Sequence, residues 1–276
     1  MILSGFNSES FGTPPPLARW DNAVALYSGG VDSYCMTHLY QPDVLLNVSM
    51  GGRYGHTETQ RLCLPPGYEP AQLRSVNAFA VGRYEDPDSK IIPGRNAMLG
   101  LYALQYGDNI LMGSVAGSTG NDKDQEFADR FNHLCDHMFA PQRWLPDGRR
   151  VRMILPVKDV TKTQLVGAVL ATGHDPELLA RNTFSCYEPD RHDLPCGKCP
   201  ACGRKWAAFT VWGVPVGFDG REAFRPYWDE VCDGRADHRG DQFRLDVVDA
   251  WHGHIRGHHG VQARTAAAPP KIGDRR

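Results

Sequence analysis

The stretch Ser28-Gly29-Gly30-Val31-Asp32-Ser33 follows directly on an apolar run, Asn22 to Tyr27. Paired glycines allow a sharp turn off a strand end, and Ser33 to Tyr40 has helical spacing with Ser33 near the first turn. A strand, a Gly-Gly turn and a helix start aim backbone N–H groups and the positive end of a helix dipole at one point. That is an anion site, most often for phosphate. Amides of Gly29 and Gly30 with the hydroxyls of Ser28 and Ser33 suit a pyrophosphate, and Asp32 is placed to hold magnesium between phosphates. The turn is not a Walker A loop, since it lacks GxxxxGK[ST] and carries no lysine. A surface turn would share the Ser-Gly-Gly letters but not the strand and helix around them.

A second group of residues has metal chemistry. Cys186, Cys196, Cys199 and Cys202 form two successive CxxC steps that share Cys199, with a fourth thiol ten residues upstream. Thiolates so spaced wrap a tetrahedral zinc, and a closed four-sulfur set makes that zinc structural rather than catalytic. An iron–sulfur cluster uses the same ligands, and spacing alone does not separate the two. A redox CxxC pair needs only two cysteines at a helix start. Cys35, Cys63, Cys135 and Cys232 have no partner pattern, so ordinary packing is expected for each.

The elements that must position these groups alternate along the chain. Apolar runs at Asn22–Tyr27, Val44–Met50, Val76–Val81, Asn109–Gly113 and Met153–Val157 read as strands. Helical patterns cover Ser33–Tyr40, Arg95–Tyr106 after Pro93-Gly94, Asp124–Phe139 and Thr161–Ala171, with a further helix after Cys202. In Asp124–Phe139 the stripe Phe127, Phe131, Leu134, Met138 is expected to face the core. Strands alternating with helices predict an α/β fold, a Rossmann-like parallel sheet with helices on both faces. Ligands in such folds bind at the carboxyl ends of the strands, where SGGVDS lies.

Three regions are expected: an extended arm over 1–20 with Pro14-Pro15-Pro16, a domain over 21–212 that includes a zinc segment at 185–205, and a partly disordered extension over 213–276. The histidines His252, His254, His258 and His259 read as part of a solvated tail. A net charge of −2 argues against a large nucleic-acid footprint, which needs a basic face. Neither a membrane-spanning run nor a secretory leader is evident, so a reducing cytoplasm is expected.

SGGVDS after a strand resembles the PP-loop of the ATP pyrophosphatase superfamily, whose members cut ATP between its α and β phosphates and attach AMP to a substrate oxygen. SGGVDS, Pro93-Gly94-Arg95-Asn96 and the four cysteines, in that order, resemble the 7-cyano-7-deazaguanine synthase family over roughly residues 22 to 212. Ser185-Cys186-Tyr187 and Pro195-Cys196-Gly197-Lys198-Cys199 are similar to that family's zinc segment, and Leu155-Pro156 with Thr161-Lys162 to the segment that carries its lysine. The resemblance implies an ATP-dependent ligase working on 7-carboxy-7-deazaguanine and ammonia in a homodimer. Adenylation of the acid, displacement of AMP by ammonia, a second adenylation on the amide oxygen and loss of AMP leave the nitrile.

The resemblance also implies site roles. Tyr27, Ser28, Gly29, Gly30, Val31, Asp32, Ser33, Tyr34, Cys35, Met36 and Thr37, with Arg95 and Asn96, would line the ATP site. Asp32, Ser33 and Lys162 would act in the transfer, Lys162 near the α-phosphate; Arg95 and Asp122 would meet the base. Without the resemblance, Arg95-Asn96 reads as a helix start with a solvated arginine. The chain departs from the family at Met50-Gly51-Gly52-Arg53-Tyr54 after the second strand, at Asp124 where an arginine is usual, and at Gln164 where glutamate is usual. Rival readings are a related ligase that passes the acyl group to another amine, an RNA thiolase, and a zinc-stapled nucleotide-binding module without turnover.

Overall fold

The computed structural model describes residues 19–52, 55–87, 91–116, 122–188 and 194–223. Expectations for residues 1–18 of the arm, for Arg53-Tyr54, for Cys232, for the tail histidines and for the extension past residue 223 lie outside them. Strands β1 (Ala23–Leu26), β2 (Val44–Ser49), β3 (Leu73–Asn77), β4 (Asn109–Met112) and β5 (Arg152–Ile154) form one parallel sheet in the order β3-β2-β1-β4-β5. The intervening helices are α1 (Val31–Tyr40), α2 (Gly55–Gln60), α3 (Arg95–Ala103), α4 (Gln125–Met138), α5 (Lys162–Ala171), α6 (Pro176–Asn182) and α7 (Pro200–Thr210).

Side chains alternate across a strand, so β1 feeds two cores. Ala23, Ala25 and Tyr27 join Leu45, Leu111 and the buried faces of α1, α5 and α7. Val24 joins Leu46, Ile110, Met112 and Met153 under Ala103 of α3 and Ala128, Phe131 and Cys135 of α4. The expected sheet covered on both faces is therefore present. The chain winds outward from β1 through β2 to β3, then returns to place β4 on β1's other side. That reversal opens a crevice at the carboxyl ends of β1 and β4, where ligands sit in this architecture.

Several boundaries differ from the sequence expectation. The third strand is Leu73–Asn77, not Val76–Val81: Asn77 is the last residue in register with β2, and Phe79 turns the chain away at φ 62°. Helix α3 stops at Ala103, and Pro93 stands outside it because Gly94, at φ 71°, is its N-cap. On α4 the buried stripe is Ala128, Phe131 and Cys135, whereas Leu134 and Met138 are 46% and 37% exposed. The small Ala128 and Cys135 let the helix lie close to the sheet, and the bulkier residues one position away rotate outward. Helix α1 begins at Val31, two residues before Ser33, and α7 begins at Pro200, so that Cys202 lies in its first turn. Past residue 212 the chain stays against α7: Val214 and Ala223 are buried, and a Cβ on Gly220 would lie 2.4 Å from Trp206 Cβ.

Candidate functional site

Ser28-Gly29-Gly30 leaves the carboxyl end of β1, with Gly29 at φ 70°, a conformation that costs glycine nothing. Ser33 Oγ folds back over the turn, accepting from Ser28 N–H at 3.3 Å and lying 3.2 Å from Ser28 Oγ. Gly30, the N-cap of α1, offers no side chain to the helix's first amides. The exit of β4 closes the other side, since a Cβ on Gly113 would lie 3.2 Å from Ser33 N. Glycine there lets two strand ends and a helix start converge.

Lys162 opens α5 next to this turn, and its ammonium makes an ion pair with the carboxylate of Asp32. The two side chains are only 12% and 28% exposed. Two elements 130 residues apart thus deliver a carboxylate and an amine to one partly dry spot beside the Ser28–Ser33 turn. Lys162 is held there by a capping box: Thr161 Oγ1 accepts from Gln164 N–H and Gln164 Oε1 from Thr161 N–H, at 3.1 and 2.8 Å. Gln164 serves the cap as a glutamate would.

Asn96 is buried at the start of α3 and donates through Nδ2 to the backbone carbonyl of Asp122 at 3.1 Å. Asp124, at the position where an arginine is usual, caps α4 by accepting from Phe127 N–H at 2.7 Å. Between them, Lys123 is half-buried and its carbonyl accepts from Ser114 Oγ at 2.6 Å, just past the end of β4. Burial depresses the Lys123 ammonium, and Arg204 and Arg95 depress it further, while Asp122 and Asp32 oppose them. Lys162 pairs with Asp32, and Arg95 and Arg204 lie within electrostatic reach of Lys123 nearby. A second lysine therefore lies within electrostatic reach of Asp32, beside the Asp32–Lys162 pair.

Glu58 on α2 belongs to the same surroundings. Burial pushes its carboxyl up to about 7 from an ordinary 4.5, against the pull of Arg95. Between those values the folded state binds more protons than the unfolded chain, so this group lowers stability as pH rises across that window. The cost is on the order of 3 kcal/mol and is fully present above the folded value. Glu58→Gln is expected to resist urea better than the parent chain at about pH 8 and equally at about pH 5. Equal midpoints at both pH values would mean that the carboxyl is solvated.

The other residues expected at the ATP site from the end of β1 and from α1 carry side chains that lie in the interior. Tyr27, Val31, Tyr34, Cys35, Met36 and Thr37 are all buried, and all but Thr37 belong to the core between the sheet and α5–α7. Their side chains support the loop from behind. Tyr27 O–H donates to the Cys63 carbonyl, tying β1 to the chain that follows α2. Burial and the Asp32 carboxylate push the Cys35 thiol up, which makes it a poor nucleophile.

The four cysteine Sγ atoms lie within 4.8 Å of one another. Backbone N–H groups point at the sulfurs: Cys196 N–H donates to Cys186, Lys198 and Cys199 N–H to Cys196, and Tyr187 and Cys202 N–H to Cys199, at 3.3 to 3.5 Å. Such N–H donors stabilise thiolates, and Gly197 at φ 69° makes the tight turn inside the CxxC step. The donor set fits a tetrahedral metal and leaves no place for a substrate. No role at the site was expected for Glu58, Lys123, Lys205 or Ser185. Ser185 and Lys205 lie in the expected zinc segment, but only the fold brings that segment to the turn.

The family model described as "Queuosine biosynthesis protein QueC" matches residues 73–213 of the chain, a span that runs from β3 past α7 and includes Arg95, Lys162 and the four cysteines. The 7-cyano-7-deazaguanine synthase of Marinomonas sp. (strain MWYL1) is 24% identical over 215 residues, covering 70% of this chain and 95% of that protein. The synthase of the same name from Rickettsia canadensis (strain McKiel) is 28% identical over 218 residues, covering 67% and 93%. That from Methanothermobacter thermautotrophicus is 32% identical over 130 residues, covering 45% and 52%.

Proposed function

The chain belongs to the family of the queuosine biosynthesis protein QueC, and we propose that it is a ligase that makes 7-cyano-7-deazaguanine from 7-carboxy-7-deazaguanine, ammonia and ATP. The observation that carries this reading is the Asp32–Lys162 pair at the mouth of the phosphate loop. A hydroxide or oxide cannot leave a carboxylate, whereas AMP leaves readily. The protein's task is to line up the acceptor oxygen with the α-phosphorus and offset the charge that gathers there.

In this reading, the Ser28–Ser33 turn and the start of α1 hold the β and γ phosphates. Lys162 lies beside the α-phosphate and Lys123 supplies a second cation. Asp32 and Ser33 are the residues that would hold magnesium, which offsets phosphate charge when bound. Arg95 and Asp122 face the deazapurine, with Asn96 fixing the backbone of Asp122. Zinc at Cys186, Cys196, Cys199 and Cys202 fixes the fold without touching substrate. The homodimer belongs to the same proposal. An RNA thiolase is disfavoured by the buried, high-pKa thiol of Cys35 and by the closed cysteine set.

Incubating the protein with the acid, ATP, magnesium and ammonia is expected to give the nitrile with AMP and pyrophosphate, read by mass spectrometry. Amide without nitrile would assign the related ligase instead. An unconsumed acid would reject the substrate.

A further inference from the structure

The first amide of α1, Val31 N–H, has no cap from Gly30 and donates instead to Ser185 Oγ at 3.4 Å, 154 residues along the chain. Ser185 immediately precedes the ligand Cys186. Beside it, Phe184 N–H donates to the Gly29 carbonyl at 2.9 Å. A Cβ on Gly30 would stand 3.5 Å from the Phe184 carbonyl and 3.7 Å from Ser185 Oγ. Residues 184 and 185 therefore lie along the back of the phosphate loop, and Ser185 supplies the side-chain acceptor that Gly30 lacks.

The same short segment is gripped from the other side. The Ser185 carbonyl lies 3.6 Å from Cys202 Sγ, in the first turn of α7. One turn on, the buried ammonium of Lys205 donates to the carbonyls of Ala180, at 2.6 Å, and Thr183. What fixes Thr183 to Cys186 is therefore α7 and the cysteine set, and what Phe184 and Ser185 fix is the turn that presents amides to phosphate.

We propose that Ser185 is a positioning residue that couples the four-cysteine metal site to the phosphate loop, so that metal and nucleotide each strengthen the hold of the other. The inference rests on the phosphate-loop and zinc readings above. Holding Ser185 in place pre-orders the α1 N-terminus, which raises nucleotide affinity. Coupling free energies are reciprocal, so bound nucleotide must in turn tighten metal binding.

The test follows the zinc-loaded full chain with the chromogenic chelator 4-(2-pyridylazo)resorcinol, with and without magnesium ATP, beside a direct binding titration with a fluorescent ATP analogue. At equilibrium, ATP is expected to shift the partition of zinc between protein and chelator toward the protein by about fivefold or more. Ser185→Ala is expected to keep its zinc, bind the analogue about fivefold more weakly and lose the shift, while Ser185→Thr restores both. Nucleotide that binds without shifting the zinc partition overturns the coupling alone, as does a full shift in Ser185→Ala. A chain that binds no nucleotide overturns the phosphate-loop reading and the coupling with it. Should Ser185→Ala not fold, Ser185→Gly takes its place, and the parent chain with and without ATP decides whether the coupling exists at all.

Discussion

Lys162→Met is expected to slow AMP formation by about 10²–10³-fold, the loss usual when one preorganised charge-stabilising group is removed from a water-poor site. Methionine keeps the length and apolar stem of the side chain, so the contact between α1 and α5 survives while the charge goes. Two effects then add. On the proposed reading the α-phosphorus loses the cation that offsets its growing negative charge, and the Asp32 carboxylate, 28% exposed, loses its partner. On the same reading Asp32 and Ser33 would still hold magnesium, so nucleotide affinity should fall less than the rate. A single-turnover measurement of AMP release, with a parallel thermal melt, separates the cases. A rate within about threefold of the parent chain, with a lowered melting temperature, would make Lys162 a strut between helices rather than part of the reaction.

How much of this arrangement could be read in advance depends on whether a role is local. The Ser28–Ser33 turn is local: two glycines, a strand before and a helix after fix its shape within ten residues, so its shape is legible in SGGVDS. The cysteine set was legible because the turn at Gly197 and the cap at Cys199 follow from CxxC spacing. The stripe on α4 was misjudged because Phe131 satisfies both phases of the helical period, and only contact with the sheet selects Ala128 and Cys135. The first turn of α1 was placed late because Gly30 carries no capping side chain, the usual mark of a helix start. Its cap, Ser185, arrives from 154 residues away. Lys123 and Glu58 gain their character from burial beside other charges, which no spacing rule carries. Departures from the family pattern at Asp124 and Gln164, which looked like changes to the site, are helix caps.

The second large effect is expected at Cys199. Its Sγ is both a candidate metal ligand and the N-cap of α7, accepting from Cys202 N–H at 3.5 Å. Cys199→Ser separates the two roles, because a serine hydroxyl is a good helix cap but a poor ligand for a soft thiolate site. If the cap were the main contribution, the serine variant would be nearly as stable as the parent. If the metal holds Thr183–Cys186 against α7, the variant should lose stoichiometric zinc. It should also lose about 4 kcal/mol or more, a fall of about 10 °C in melting temperature for a domain of this size. The loss should spread to the phosphate loop through Phe184 and Ser185, so weakened nucleotide binding should accompany it. Zinc analysis by mass spectrometry with a thermal melt decides the matter. A zinc-free serine variant that melts with the parent would reduce the four cysteines to packing.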